Sequence, residues 1–175
     1  EGWEMVELGD ACEIATGKLD ANAAEKDGIY PFFTCSKTEI FRINSYAFDC
    51  EALLLSGNNA VGDFDVKYFK GKFNAYQRTY IITIKDEFKT KMTYALLNYY
   101  LQNSLLSLKQ QSIGGLTKYL TKNMIISIKI SIPPIEIQKE IVARIEEEQK
   151  LVDANKKLIE LFEGKIKEKI AEVWG

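Results

Sequence analysis

Histidine does not occur anywhere in the 175 residues. Its absence removes the commonest general base and the commonest metal ligand. Ser-His-Asp and Cys-His hydrolases are excluded, as are zinc sites that need an imidazole. Cysteine is sparse and odd in number (Cys12, Cys35 and Cys50), and no CxxC pair occurs. Neither a disulfide framework nor a metal site is therefore expected, and a reducing cytoplasm is the compartment that fits. No apolar run is long enough to span a bilayer and no signal peptide opens the chain, so no membrane partner is expected. A Walker A pattern is missing, and so is a glycine-rich loop between a strand and a helix. Gly114-Gly115 alone reads as a turn. No spacing argues for carboxylate or lysine catalysis, so no catalytic residue is assigned.

Acidic residues are missing from one long stretch. Between Phe88 and Ile135 there is no Asp or Glu, but there are six lysines. Residues 1–63 carry twelve acids and four bases, residues 64–135 three acids and eleven bases, and the rest ten acids and eight bases. The formal charge of −2 therefore hides a first third at −8 and a middle stretch at +8. A basic middle is the footprint of a polyanion. The competing reading is that two oppositely charged faces pair with each other.

What the chain does contain divides at Pro133-Pro134. Trp3 to Leu8 alternates apolar and polar residues and predicts a short edge strand. "GDACEIATG" predicts one or two helical turns, with Asp10 as N-cap and Gly17 as stop. Asp20 to Gly28 reads as a loop, and "IYPFFT" as a strand with Pro31 at an edge or bulge. Further strands are predicted at Ile40–Ile43, Ala52–Ser56, Val66–Phe69, Lys72–Tyr76 and Thr79–Ile84. Gly57-Asn58-Asn59, Gly62-Asp63 and Lys70-Gly71 punctuate them. The period then changes. Met92, Leu96, Leu97, Tyr100, Leu101, Leu105 and Leu108 predict an amphipathic helix over Thr90–Gln111. "SIGGLTKYLT" reads as a loop and "NMIISIKISI" as a last β run. The fold class is α+β: a compact, mostly antiparallel β-rich domain over 1–132, followed by a long coiled-coil helix over 133–175.

That helix is predicted from about Ile135 to Val173, roughly 58 Å at 1.5 Å per residue. A domain of this size is only about 30–40 Å across. Ile145, Val152, Ile159, Ile166 and Val173 recur every seven residues, and Leu151, Leu158, Phe162 and Ile170 widen the stripe. Asn155 falls in the same seam, where one polar residue can fix register. The helix-pairing residues are therefore Ile145, Val152, Asn155, Ile159, Phe162, Ile166 and Val173. Their partner is another chain or a matching second half.

Three stretches carry a family resemblance: "WEMVELGDACEIATG", "YPFFT" and "MIISIKISIPPIEIQKEIVARIEE". They resemble the DNA-specificity (S) subunits of type I restriction-modification systems. The third is the most specific, with Pro133, Pro134, Gln138, Ile141 and Val142 at the family's positions. Trp3, Leu8, Gly9 and Gly17 match its opening. The pattern runs through the chain once, whereas full-length S subunits carry it twice, so the chain resembles a half-subunit or an excised half. The resemblance implies a target-recognition domain that reads one half of a bipartite double-stranded DNA site. It implies a helix that pairs antiparallel, with a second copy or a matching half, as a spacer. Methyltransferase subunits, and with them restriction subunits, are the implied protein partners. S-adenosylmethionine is expected in the methyltransferase subunit and no cofactor in this chain. In keeping with that division, "IPPI" has isoleucine where an amino-methyltransferase needs the side-chain amide of its Asn-Pro-Pro-aromatic motif.

Two segments combine bases with amides, hydroxyls and rings. In "VKYFKGKFNAYQR", Lys67, Lys70, Lys72 and Arg78 can neutralise phosphates, and Asn74, Gln77 and Arg78 have the planar geometry that reads base edges. Phe69, Phe73 and Tyr80 read as core. In "KQQSIGGLTKY", Gln110, Gln111, Ser112, Thr117, Lys118 and Tyr119 can approach a backbone or a base edge from a loop. "CSKTEIFR" adds Lys37 and Arg42. Asn58 and Asn59 read as a turn. The alternative function is a coiled-coil assembly protein with no DNA contact, its basic third a protein-docking surface.

Overall fold

The computed structural model describes residues 3–174. The chain divides into two compact units, residues 1–135 and 136–175.

The first unit is built on a six-stranded sheet in the order β2-β8-β5-β7-β3-β4. Its strands are β2 (Cys12–Thr16), β3 (Tyr30–Phe33), β4 (Phe41–Ile43), β5 (Phe48–Ser56), β7 (Val66–Ala75) and β8 (Thr79–Ile84). Only β3 against β7 is parallel. Two small antiparallel pairs flank it: β1 (Glu4–Glu7) with β10 (Lys129–Ile132), and β6 (Asn58–Asn59) with β9 (Lys118–Tyr119). Among the described residues three α-helices complete the unit: α1 (Leu8–Ala11), α2 (Tyr94–Gln111) and α3 (Lys122–Ile126).

The second half of β5 is buried on both faces, which is why it reads as the unbroken run "ALLLS". Leu53 and Leu55 join Cys12, Ile14, Ile82 and Leu97, Leu101 and Leu108 of α2 in the larger core. Ala52 and Leu54 point the other way, into a smaller core with Phe33, Phe73, Ala75 and Ile81. Each fully buried Leu, Ile or Phe of these cores contributes about 1.5–3 kcal/mol. Helix α2 begins where Thr93 caps it, its side chain accepting from the Leu96 N–H at 3.2 Å.

The sheet has to curl. Phe73 of β7 lies opposite Phe48, while Thr79 of β8 lies opposite Ser56, at the other end of β5. Those two ends would be about 27 Å apart in a straight strand. The four steps from Ala75 to Thr79 cover at most about 14 Å. The β5–β7 pair therefore coils over, and the second half of β7 lies on the sheet's own inner face, where Phe73 and Ala75 meet Leu54 and Ile81. Gly71 stands within β7 at φ +127°, a conformation open to glycine.

Several local expectations need correction. Cys12–Thr16 is a strand, not part of a helix. Its inward positions Cys12 and Ile14 alternate with exposed Glu13 and Ala15, and this period of two wins over the capping signal. Only α1 is helical there, and Asp10 lies inside it, accepting the Glu7 N–H at 3.3 Å. Gly17 ends the strand. A Cβ on it would stand 2.0 Å from the Ala75 carbonyl oxygen. Val66–Ala75 is one strand, because Gly71 coils it instead of breaking it. Asn123 to Ile126 are helical, since Thr121 caps them by accepting the Met124 N–H at 3.4 Å. Pro31 is in β3, next to edge strand β4. Its missing N–H costs nothing toward β7, which pairs only with Phe32 and Phe33.

The second unit is one helix, α4 (Ile135–Trp174, 40 residues). Every described residue from Glu146 on is exposed, among them Val152, Asn155, Ile159, Phe162, Ile166 and Val173, while Ile145 is half-buried. Polar pairs along its surface, such as Arg144–Glu148 and Lys169–Glu172, are short-range and solvated. The helix, the mixed sheet-rich unit and their order agree with the α+β expectation. Among the described residues no helix is long and apolar enough to cross a membrane.

The buried Cys12 is one of the groups that shape the chain's alkaline behaviour. Burial pushes its thiol up from about 9 to about 12, against a smaller opposing effect from Lys85. Its folded pKa is raised, so its contribution is full below pH 9 and lost as pH rises toward 12. Between those values Cys12 should tilt unfolding free energy down by about 1.4 kcal/mol per pH unit. Denaturant unfolding from pH 8 to 11 should therefore show a shallower alkaline slope in Cys12→Ala than in the parent.

Candidate nucleic-acid interface

The turn between β7 and β8 sits at the Ser56 end of the sheet. It is a tight turn, closed by the Thr79 N–H on the Tyr76 carbonyl at 2.8 Å, with Gln77 and Arg78 exposed at its apex. The two side chains are therefore not constrained to opposite faces, as neighbours in a strand would be. Gln77 donates to Asp20 at 3.2 Å. Arg78 lays its guanidinium over the Tyr119 ring, 5.5 Å from the centroid.

Gly57 is the hinge-pin of this end. Its N–H donates to the Arg78 carbonyl at 2.8 Å and its carbonyl accepts from the Leu120 N–H at 2.9 Å. One backbone unit thus ties the end of β5 to the β7–β8 turn and to the segment that follows α2. A Cβ at Gly57 would stand 2.3 Å from the Arg78 carbonyl oxygen and 2.7 Å from the Tyr80 ring. The segment after α2 is a closed loop. Ile113 and Tyr119 exchange two backbone hydrogen bonds, and Gly114 takes φ +106° with the Lys118 ammonium on its carbonyl at 2.9 Å.

The two basic segments meet here in part. Arg78, Gln77, Lys118 and Tyr119 come together. Thr117 is half-buried in the same loop. Gln110 and Gln111 close α2 in exposed positions, Gln111 donating to Ser107 at 2.9 Å, and Ser112 turns its hydroxyl onto the Lys109 carbonyl at 2.7 Å. Lys37 reaches the patch through Asp63, which it grips at 2.9 Å on both oxygens. That hydrogen bond and the Lys37 charge hold the Asp63 carboxyl below its ordinary range, with a further contribution from Lys109. Lys67 is tied into the foot of the same end by Asp65 and by the Ser36 carbonyl.

Other residues named from the sequence lie elsewhere. Lys70 pairs with Glu51 at 3.1 Å, and that bond and charge raise its pKa. Lys72 stands 4.6 Å over the Tyr46 ring. Arg42, on edge strand β4, donates to the Ile29 carbonyl at 3.3 Å. Asn74 is a correction. It is buried, its Oδ1 accepting from the Ala75 N–H and its Nδ2 donating to the Ser45 carbonyl, so it cannot read a base.

Sequence reasoning missed Lys109 and the β6 segment. Gly62 nestles against the stems of Lys109 and Lys118, its built Cβ falling 3.2 and 3.4 Å from their Cγ atoms. Asn58 and Asn59 are more than a turn, because they form β6 against β9. Asn59 also accepts from the N–H groups of Val61 and Asp63. Turn-type composition hid this pairing.

The opposite end of β8 has the reverse charge. A cavity of about 780 Å³ there is lined by Glu13, Asp49, Glu51 and Asp86, with Lys85 and Lys89. Four acids against two lysines make that end repel phosphate, whereas the Arg78 end gathers basic side chains.

A model of the type I restriction modification DNA specificity domain matches residues 1–163, and the chain belongs to that family. It is 40% identical over 161 residues to the EcoDI type I restriction enzyme specificity subunit of Escherichia coli, covering 90% of this chain and 34% of that protein. It is 30% identical over 183 residues to the putative MjaX specificity subunit of Methanocaldococcus jannaschii, covering 97% and 42%. The fold is shared with the S subunit of the M. genitalium type I system, at TM-score 0.70 and 13% identity over 91% of this chain and 42% of that one. The HsdS subunit from Thermoanaerobacter tengcongensis gives 0.66 and 22% over 87% and 39%. The chain thus spans only about a third to two-fifths of the length of the relatives it matches.

The Gly57 junction makes a sharp stability prediction. Gly57→Ala should cost about 1–3 kcal/mol through overpacking, lowering Tm by about 2–4 °C per kcal/mol. Gly115→Ala, where an added Cβ meets nothing within 4 Å, should stay within about 0.5 kcal/mol of the parent. Thermal unfolding of the two variants side by side checks both.

Proposed function

We propose that this chain is the sequence-reading unit of a type I restriction-modification complex. It reads one half of a bipartite double-stranded DNA site and scaffolds methyltransferase subunits in the cytoplasm. The carrying observation is the convergence of Arg78, Lys118, Lys109 and Lys37 on one end of the sheet, in a chain of the DNA specificity family. Arg78 reads a base edge from the apex of the turn, its planar fork suited to guanine O6 and N7. Gln77 beside it and Gln110, Gln111, Ser112 and Thr117 on the neighbouring segment are within the same surface. Lys118 and Lys109 hold phosphates, which fix register without reading sequence, while Lys37 neutralises the intruding Asp63.

The long helix supplies spacing. Its exposed apolar residues run from Leu151 to Trp174 on a polar helix, and an apolar stripe of that kind is stable when another helix covers it. The relatives are more than twice as long as the chain, room enough for a second recognition unit with its own helix. A second copy of the chain, antiparallel, supplies the same partner, and such a pair reads an interrupted palindrome. Methyl transfer, and S-adenosylmethionine with it, belongs to the methyltransferase subunit. This chain's own part is to place that subunit on a chosen site.

Base-reading and phosphate-holding residues differ in a measurable way. Arg78→Ala should cost about 1–3 kcal/mol on the proper site and much less on a scrambled duplex. Lys118→Ala should weaken both alike and lower the slope of log K against log salt by about one unit. Titrations of the two variants at several salt concentrations separate the roles. An equal loss on both duplexes for Arg78→Ala would move the reader away from the turn.

A further inference from the structure

Lys67 belongs to the basic stretch by sequence, yet it is built in as an internal group. Its side chain and that of Asp65 are each only 19% exposed and form an ion pair. The ammonium also donates to the Ser36 carbonyl at 2.7 Å. The pair stands where three segments meet. The Asp65 N–H donates to the Ser56 hydroxyl at 2.7 Å, and the Ser56 N–H donates to the Asp65 carbonyl at 2.9 Å, which fixes the end of β5 to the start of β7. Through Ser36, Lys67 adds the loop that follows β3. That loop is organised around Ser36, which accepts from the Glu39 N–H at 3.1 Å and donates its own N–H to Thr34 at 3.2 Å. On one side of Ser36, Lys37 grips Asp63. On the other, the Cys35 thiol donates to the Arg78 carbonyl at 3.4 Å.

We propose that Lys67 and Asp65 are positioning residues for DNA reading, a strut that sets the Thr34–Glu39 loop against the Arg78 turn, and that Lys67 is not a phosphate contact. The inference rests on the DNA-reading function given above. A lysine ammonium has three N–H donors, and the Ser36 carbonyl and the Asp65 carboxylate take two of these. The pair is neutral overall, so it releases no counterions from a duplex, whereas an unpaired lysine on phosphate releases about one. What the strut supplies instead is geometry. It fixes Cys35 and Lys37, which flank Ser36, and through Cys35 it bears on the carbonyl of the reading residue. A misplacement of about 1 Å in such a support is enough to degrade a polar recognition contact.

The test uses the chain in its assembled complex, with duplexes selected from a random pool by the parent complex and scrambled duplexes of equal length. Lys67→Met should lower the ratio of selected to scrambled affinity about tenfold and leave the salt slope unchanged. Asp65→Asn should lose discrimination to a similar degree while binding scrambled duplex more tightly, because it frees a cation. The Lys67→Met, Asp65→Asn double variant should lose no more than either single one, since the two side chains act as a unit. Lys67→Arg should recover most of the discrimination. A second measurement needs no DNA: alkylation of Cys35, followed peptide by peptide, should quicken about tenfold in Lys67→Met while Cys12 stays protected. A slope lowered by about one unit, with equal loss on both duplexes, would overturn the strut in favour of a phosphate contact. Unchanged discrimination and unchanged Cys35 labelling, with only a lower Tm, would reduce the pair to plain packing and also overturn it. A parent complex that selects no sequence from the pool would overturn the reading function itself, and the Cys35 labelling would then still report whether the strut exists.

Discussion

The backbone of Gly57 holds the molecule's working end together. Its N–H and carbonyl bind the Arg78 carbonyl and the Leu120 N–H, so three segments far apart in sequence are fixed by one peptide neighbourhood. This junction exists only because the β5–β7 pair coils over and returns the chain to the Ser56 end in three residues. Coiling in turn needs Gly71 in an unusual conformation and a second small core to receive Phe73 and Ala75. The Tyr76–Thr79 turn is thus a consequence of how the sheet closes on itself. Its backbone is anchored on both sides and its arginine rests on a tyrosine ring, so a short, exposed turn holds a fixed geometry.

Charge is arranged along the same axis. The Arg78 end gathers Lys37, Lys109 and Lys118, and the acids that intrude there, Asp63 and Asp65, are both tied to lysines. The far end of β8 keeps Glu13, Asp49, Glu51 and Asp86 around a cavity. The opposition between a −8 first third and a +8 middle is therefore resolved in space mostly by separation, with a few pairings such as Lys129–Glu7 and Lys70–Glu51. Of the two ideas weighed from the sequence, pairing of opposite charges accounts for only a few of these residues.

Periodicity made much of the fold legible. The heptads of α4, the apolar spacing of α2 and the doubly buried run of β5 each stated an element clearly. What stayed hidden follows from competition between local and distant interactions. Cys12–Thr16 follows a cap-like aspartate, Asp10, yet pairing with β8 decides its conformation. Gly71 looks like a break and is a bend. The two residues of β6 look like a turn because their partners in β9 are sixty positions away. Among the candidate residues, Arg78, Lys118 and Tyr119 could be named from charge and side-chain chemistry alone, and the fold brings them to one end of the sheet. The burial of Asn74 and the internal role of Lys67 could not, because both depend on which strand face and which carbonyl the fold supplies. Lys109 was hidden for the same reason: only the packing of Gly62 shows that it belongs with Lys118.

The central claim is that the duplex lies on the Gly57–Arg78–Tyr119 end and nowhere near the acidic cavity. Amide hydrogen exchange of the assembled complex, with and without a selected duplex, tests it most directly. The account predicts slowed exchange on DNA binding within residues 57–63, 76–79 and 113–120, and no change within 83–94. Protection confined to 83–94, or absent from the 76–79 turn, would contradict it.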